Sequence, residues 1–211
     1  MGFGVDGSNS YVGHATVATV HLTVATDHAA ATSFPAARDR YHMKKISVES
    51  VENSVQPAAV MRKLTAPLGT TDLAINYYEL EPGDSFAFAY HRHEIQEEVF
   101  YIQEGTATFD VESDTVDVHA GEIIRIAPGE FQRGWNRGDE RVIALALGAP
   151  LQYGEQTKLR DCQQCGTATD NELERRPDPG AAGDEVVVAS CKTCGSETGR
   201  WHEGSMPGTV P

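Results

Sequence analysis

Two groups of side chains in this chain could do chemistry, and they differ in kind. In the first, His91 and His93 stand one residue apart, Glu98 follows after a short polar break, and Gly105 marks the next turn. Residues i and i+2 of a strand share a face, so both imidazoles can reach one metal ion. Glu98 lies too far along the chain to share that strand, but it meets the pair if the chain turns and runs back as a hairpin partner. Two imidazoles and one carboxylate form the facial set of non-haem iron sites, and the same donors hold Mn, Ni, Co, Zn or Cu elsewhere.

The second group is all sulfur. The four cysteines fall as Cys162-x-x-Cys165 and Cys191-x-x-Cys194, each pair followed by a glycine, Gly166 and Gly195. Two such knuckles let paired thiolates approach one Zn2+ tetrahedrally, and a hairpin that includes Glu185 to Ala189 joins them in the manner of a zinc ribbon. Two disulfides or a redox pair are the competing readings. The matched knuckles and the lack of a convincing secretory signal favour structural zinc and a cytoplasmic location.

The elements that must position the first group are strands. Leu73 to Leu80, Ser85 to His93, Glu97 to Gln103, Thr106 to Glu112, Thr115 to His119, Glu122 to Ile126, Gln132 to Trp135 and Arg141 to Leu147 are rich in β formers. Glycine, proline and aspartate turns separate them, as at Glu81-Pro82-Gly83-Asp84 and Pro128-Gly129. Short strands at such spacing predict an all-β sandwich or barrel with almost no helix. If His91 and His93 face inward, alternation puts Ser85, Ala87 and Ala89 inward too, with Phe86, Phe88 and Tyr90 outward. Glu98 inward likewise places Phe100 and Ile102 inside and Val99 and Tyr101 outside. An outward aromatic stripe calls for cover, either from the N-terminal strands, within residues 46 to 70, or from a second copy of the chain.

The stretch from Gly83 through His91, His93 and Glu98 to Gly105 resembles the first cupin motif, with two extra residues between Gly83 and His91. The stretch Gly121, Pro128, Gly129 and Asn136 is similar to the second, with Ala127 where the family's first proline stands. The resemblance implies an all-β cupin double-stranded β-helix, a jelly-roll barrel, followed here by a small zinc ribbon. It also implies a metal held by His91, His93 and Glu98, with Gln132 at the fourth ligand position, where the family usually has histidine. An amide oxygen is a weaker, harder donor than imidazole. It either ligates, or points at bound water and leaves the position open, or only hydrogen-bonds within the barrel.

The organisation expected is an extension at 1–42, a cupin barrel at 43–151, a zinc-ribbon-like module at 152–204 entered by a polar linker from Gln152 to Lys158, and a disordered tail at 205–211. The extension is poor in charge, so 28 of the 31 acidic residues and 15 of the 17 basic ones follow position 42. Met43 reads as a natural start, with the extension disordered or translated from a misplaced start codon. A net charge of −14 argues against nucleic-acid and anionic-membrane partners, and with lysine scarce it resembles a halophilic, haloarchaeal surface. No eighteen-residue apolar run marks a membrane span.

Two functions fit. One is a small-molecule metalloenzyme of the dioxygenase, isomerase or lyase type, with a divalent metal in the barrel, structural zinc in the cysteines, and a homodimer formed through the outer barrel sheet. The other is a non-catalytic ligand sensor whose ribbon engages a protein or nucleic acid.

Overall fold

A computed structural model of the chain describes residues 43–112, 114–177 and 185–202. The readings made for the extension at 1–42 and for the tail lie outside these residues. The described residues from Met43 onward form one compact unit.

Its strands are β1 (Val60–Lys63), β2 (Ala74–Leu80), β3 (Tyr90–His93), β4 (Glu97–Glu104), β5 (Thr106–Val111), β6 (Asp114–His119) and β7 (Ile123–Ile126). They continue with β8 (Gln132–Trp135), β9 (Val142–Ala149), β10 (Gln156–Cys162), β11 (Thr167–Pro177), β12 (Glu185–Cys191) and β13 (Glu197–His202). The α-helix among the described residues is a single turn, Thr65–Leu68, closed by Gly69 in the left-handed conformation. One sheet runs β1-β2-β9-β4-β7 and the other β13-β12-β11-β10-β3-β8-β5-β6, with antiparallel neighbours throughout. The first sheet and the β3-β8-β5-β6 half of the second form the double-stranded β-helix.

Between them lies an aromatic core. Phe86 stacks on Phe109 at 5.6 Å, Phe100 meets Phe109 at 4.9 Å, and Tyr78 presents its edge to Phe86 at 5.1 Å. Burying each such ring contributes about 1.5–3 kcal/mol, and well-oriented pairs add roughly 0.5–1.5 kcal/mol. Gly134 on β8 makes this packing possible, since a Cβ there would stand 2.6 Å from both Phe86 and Phe109. Asn136 locks the turn behind it, donating to the carbonyls of Leu80 at 2.9 Å and Glu140 at 2.8 Å.

Two expectations are corrected here. Phe86 is not on the outer face but in the core, 4% exposed. Ser85 bridges Trp135 and His91 pairs with Gln132, so six residues on one side span only three on the other. Three residues are looped out of register between them. An odd slip exchanges faces, which turns both Phe86 and His91 inward. Phe88, on the looped segment, is covered only in part by the 46–70 stretch, through Val55. It packs in a second core with Val187, Ala189 and Trp201 of the C-terminal strands, and with Val55.

The second correction concerns Gln152 to Lys158, which is not a linker throughout. From Gln156 it is strand β10, which pairs with β3 in the register Gln156–His93, Thr157–Arg92 and Lys158–His91. The C-terminal strands therefore continue the barrel sheet. Arg160 ties the joint, donating to the carbonyls of Phe88 and of Thr198 and lying 4.8 Å over the Trp201 ring.

Candidate metal centres

The strand alternation of β3 turns His91 and His93 to the same side, as expected, and β4 brings in Glu98. One ligand atom from each of the three lies within 4.8 Å of the others. Donors about 2.0–2.2 Å from one ion stand roughly 3–4 Å apart, so the grouping fits a single metal. Each imidazole is oriented through its far nitrogen. His91 Nδ1 faces the Ala89 carbonyl at 3.1 Å and His93 Nδ1 faces Gln96 Oε1 at 2.7 Å. Both Nδ1 atoms are then donors, which leaves both Nε2 lone pairs for a metal.

Gln96 is itself held, donating to the Pro150 carbonyl at 2.7 Å. It fits because β9 has a glycine opposite: a Cβ on Gly148 would come within 2.7 Å of the Gln96 amide carbon. Further along β9, the inward residues Ala144 and Ala146 are also small. Their size leaves a cavity of about 510 Å³ above the three donors, lined by Phe86, Phe100 and Ala146 among others.

The electrostatics suit a cationic occupant. Burial holds the His93 imidazole below its ordinary value and so favours the neutral ligand form. Burial works to raise the Glu98 carboxyl, but the hydrogen bond and charge of His91, the charge of His93 and the Gln132 amide outweigh it, and the net shift is downward. Glu98 is therefore ionised.

Gln132, 1% exposed, donates from Nε2 to Glu98 Oε2 at 2.8 Å and has Nε2 3.4 Å from His91 Nε2. Its Oε1 is buried without a partner. The amide turns its Nε2 end, not that oxygen, to Glu98 and His91, and what a cation would meet here is the ionised carboxylate with the two imidazoles, one ligand atom of each within 4.8 Å of the others. The residues present therefore fit a metal.

Glu94 and Glu97 are not in this group. Glu94 accepts from the Glu155 amide at 3.0 Å and Glu97 pairs with Arg125 at 2.5 Å. Three neighbours escaped the sequence reading. Gln96 sits in a turn where only its side chain's reach matters, and Gln156 and Lys158 lie in the stretch read as linker. Gln156 Nε2 approaches His93 Nε2 at 2.5 Å.

The four cysteines also converge. Cys162 and Cys194 sulfurs are 3.5 Å apart, and Cys165 and Cys191 sulfurs 3.9 Å. A tetrahedral four-thiolate zinc site, with bonds of about 2.3 Å, spaces its sulfurs by roughly 3.8 Å. None of the four is in a disulfide. Each knuckle closes with a glycine amide, Gly166 on the Cys162 carbonyl and Gly195 on the Cys191 carbonyl, both at 2.8 Å and both glycines at positive φ. The Thr169 hydroxyl, 3.1 Å from Cys191 Sγ, brings that thiol down to about 6.

Residues 76–148 match the family model described as a cupin domain, which supports placing the barrel in the cupin superfamily. None of the curated proteins matches the chain. Similar solved structures include the polyketide cyclase RemF from Streptomyces resistomycificus, 22% identical over 57% of this chain and 88% of that one with a TM-score of 0.48. A sugar phosphate isomerase of the cupin superfamily from Silicibacter pomeroyi is 17% identical over 79% of this chain and 97% of that one, with a TM-score of 0.46. A cupin protein from Bacteroides fragilis is 21% identical over 55% and 91%, with a TM-score of 0.44. At these levels the likenesses say nothing of a substrate. Among the described residues no helix is long and apolar enough to cross a membrane.

Proposed function

We propose that this cupin barrel is a small-molecule metalloenzyme that holds one divalent transition metal through His91, His93 and Glu98, with Gln132 at the fourth position. The observation that carries the reading is the convergence of His91, His93 and Glu98 at a cavity large enough for a small molecule. A metal bound there supplies Lewis acidity or oxygen activation, which suits dioxygenase, isomerase or lyase chemistry. The protein's part is positioning. Ala89 and Gln96 fix the imidazole tautomers, Glu98 brings the negative charge, and the aromatic and alanine walls keep bulk water from a bound substrate.

Protein loaded anaerobically with Fe2+, Mn2+, Ni2+ or Zn2+ and screened against phenolic, keto-acid and sugar substrates should turn over at least one, by oxygen uptake or isomerisation. His91→Ala and Glu98→Ala should each lower that rate by about a hundredfold or more. Turnover unchanged in both variants sinks the assignment.

We further propose that the four cysteines hold a structural zinc and that the chain pairs through the outer face of the β1-β2-β9-β4-β7 sheet. Tyr77, Leu145, Tyr101 and Ile123 form a cross-strand apolar row there, with Ile123 64% exposed. Sedimentation equilibrium should give twice the chain mass, and Tyr101→Glu with Ile123→Glu should give a monomer. A wild-type monomer at micromolar concentration contradicts the pairing.

A further inference from the structure

The cavity above the three donors has a wall that the barrel does not supply. Strand β10 lies beside β3, with Gln156 opposite His93 and Lys158 opposite His91. Directly opposed residues of an antiparallel pair project to one face, so both side chains project on the histidines' side of the sheet. Gln156 does reach His93, and Lys158 lines the same cavity as His91, Glu98 and Gln132.

Lys158 is unusual in this chain. It is one of five lysines in a protein with a net charge of −14. It is partly buried. Among the described residues no carboxylate lies within ion-pair distance of its ammonium. Asp170, next to it on β11, is already engaged: Oδ2 takes the Lys192 ammonium at 2.6 Å and Oδ1 takes the Lys158 backbone amide at 2.9 Å. Burial and the Lys192 charge hold the Lys158 ammonium below its ordinary range, against the weaker opposing charges of Asp170 and Glu172, a cost that an anion beside it would offset. Arg175, which also lines the cavity, is turned to Glu185 at 3.3 Å and to the Val55 carbonyl at 3.2 Å. One cation is thus left on a wall otherwise made largely of rings, methyl groups and amides.

We propose that Lys158 is the anion-binding residue of this cavity, so that the ligand is a small organic carboxylate whose charged end meets Lys158 and whose body lies along Phe86 and Phe100 toward the metal donors. A single ammonium without a cradle of backbone amides suits a carboxylate better than a phosphate dianion. This rests on the metal-site reading only for what lies at the other end of the ligand. The C-terminal strands are then part of the site, because the residue that selects the ligand is theirs.

The test is calorimetry on the full chain, with and without Mn2+, at constant ionic strength. Benzoate, succinate, pyruvate and inorganic phosphate are titrated beside benzamide and succinamide. At least one carboxylate should bind, about tenfold or more tighter than its amide. Lys158→Met should lose that preference while keeping its melting temperature, its Mn2+ affinity and its weak affinity for the amide, and Lys158→Arg should keep it. Failure of Mn2+ to bind would count against the metal site alone, since carboxylate binding that depends on Lys158 can still be read in metal-free protein. No carboxylate binding in either state, equal binding by Lys158→Met, or binding of phosphate alone would overturn the inference.

Discussion

The two donor clusters are built in opposite ways. The cysteines come from two tight turns, each a four-residue knuckle closed by a glycine, and the four like donors leave no open position. The barrel donors come from β3 and β4 with Gln132 from β8, and they look onto a cavity. A closed four-thiolate set suits a metal that only holds the fold, whereas three mixed donors and an amide leave room for an exchangeable ligand. One strand joins the two: β10 carries Gln156 and Lys158 beside the histidines and Cys162 at its end. On the proposed reading, a zinc in the cysteine cluster would hold the end of the strand that lines the barrel site.

The comparison breaks most visibly if the sulfur cluster is dismantled. Cys162→Ser should lose zinc and lower the melting temperature of the whole unit by about 10 °C or more, because the second core around Phe88 and Trp201 loses its anchor. A small shift with the barrel unaffected would mean that the C-terminal strands are an appendage. A finer test spares the cysteines. Gly148→Ala should displace Gln96 and free the His93 ring, weakening barrel metal affinity by about tenfold to a hundredfold while zinc stays bound. Unchanged affinity in this variant would show that Gln96 does not hold the imidazole.

What could be read from the sequence follows the same division. The cysteine knuckles are local, so spacing alone grouped the four sulfurs that the structure brings together. Most strands were legible from composition and turns, and Phe100, Ile102 and Tyr101 fell on the faces that alternation assigned them. Alternation failed at Phe86 because the three residues looped out between Ser85 and His91 leave no mark except a motif two residues longer than usual. Strand β10 was hidden for another reason. Polar residues on both of its faces erase the period-two signal, so Gln156, Lys158 and their partners on β3 look like linker until the pairing is seen. Gln96 could not have been found, since its role depends on a glycine more than fifty residues away.

The central claim is that one chain holds two metals of different kinds at separate sites, and elemental analysis of protein purified from its own host tests it most directly. Wild type should contain about one zinc and about one second divalent metal per chain. His91→Ala should lose the barrel metal and keep the zinc. Full metal content in His91→Ala, or a single metal species lost in equal measure by His91→Ala and Cys162→Ser, would contradict the account.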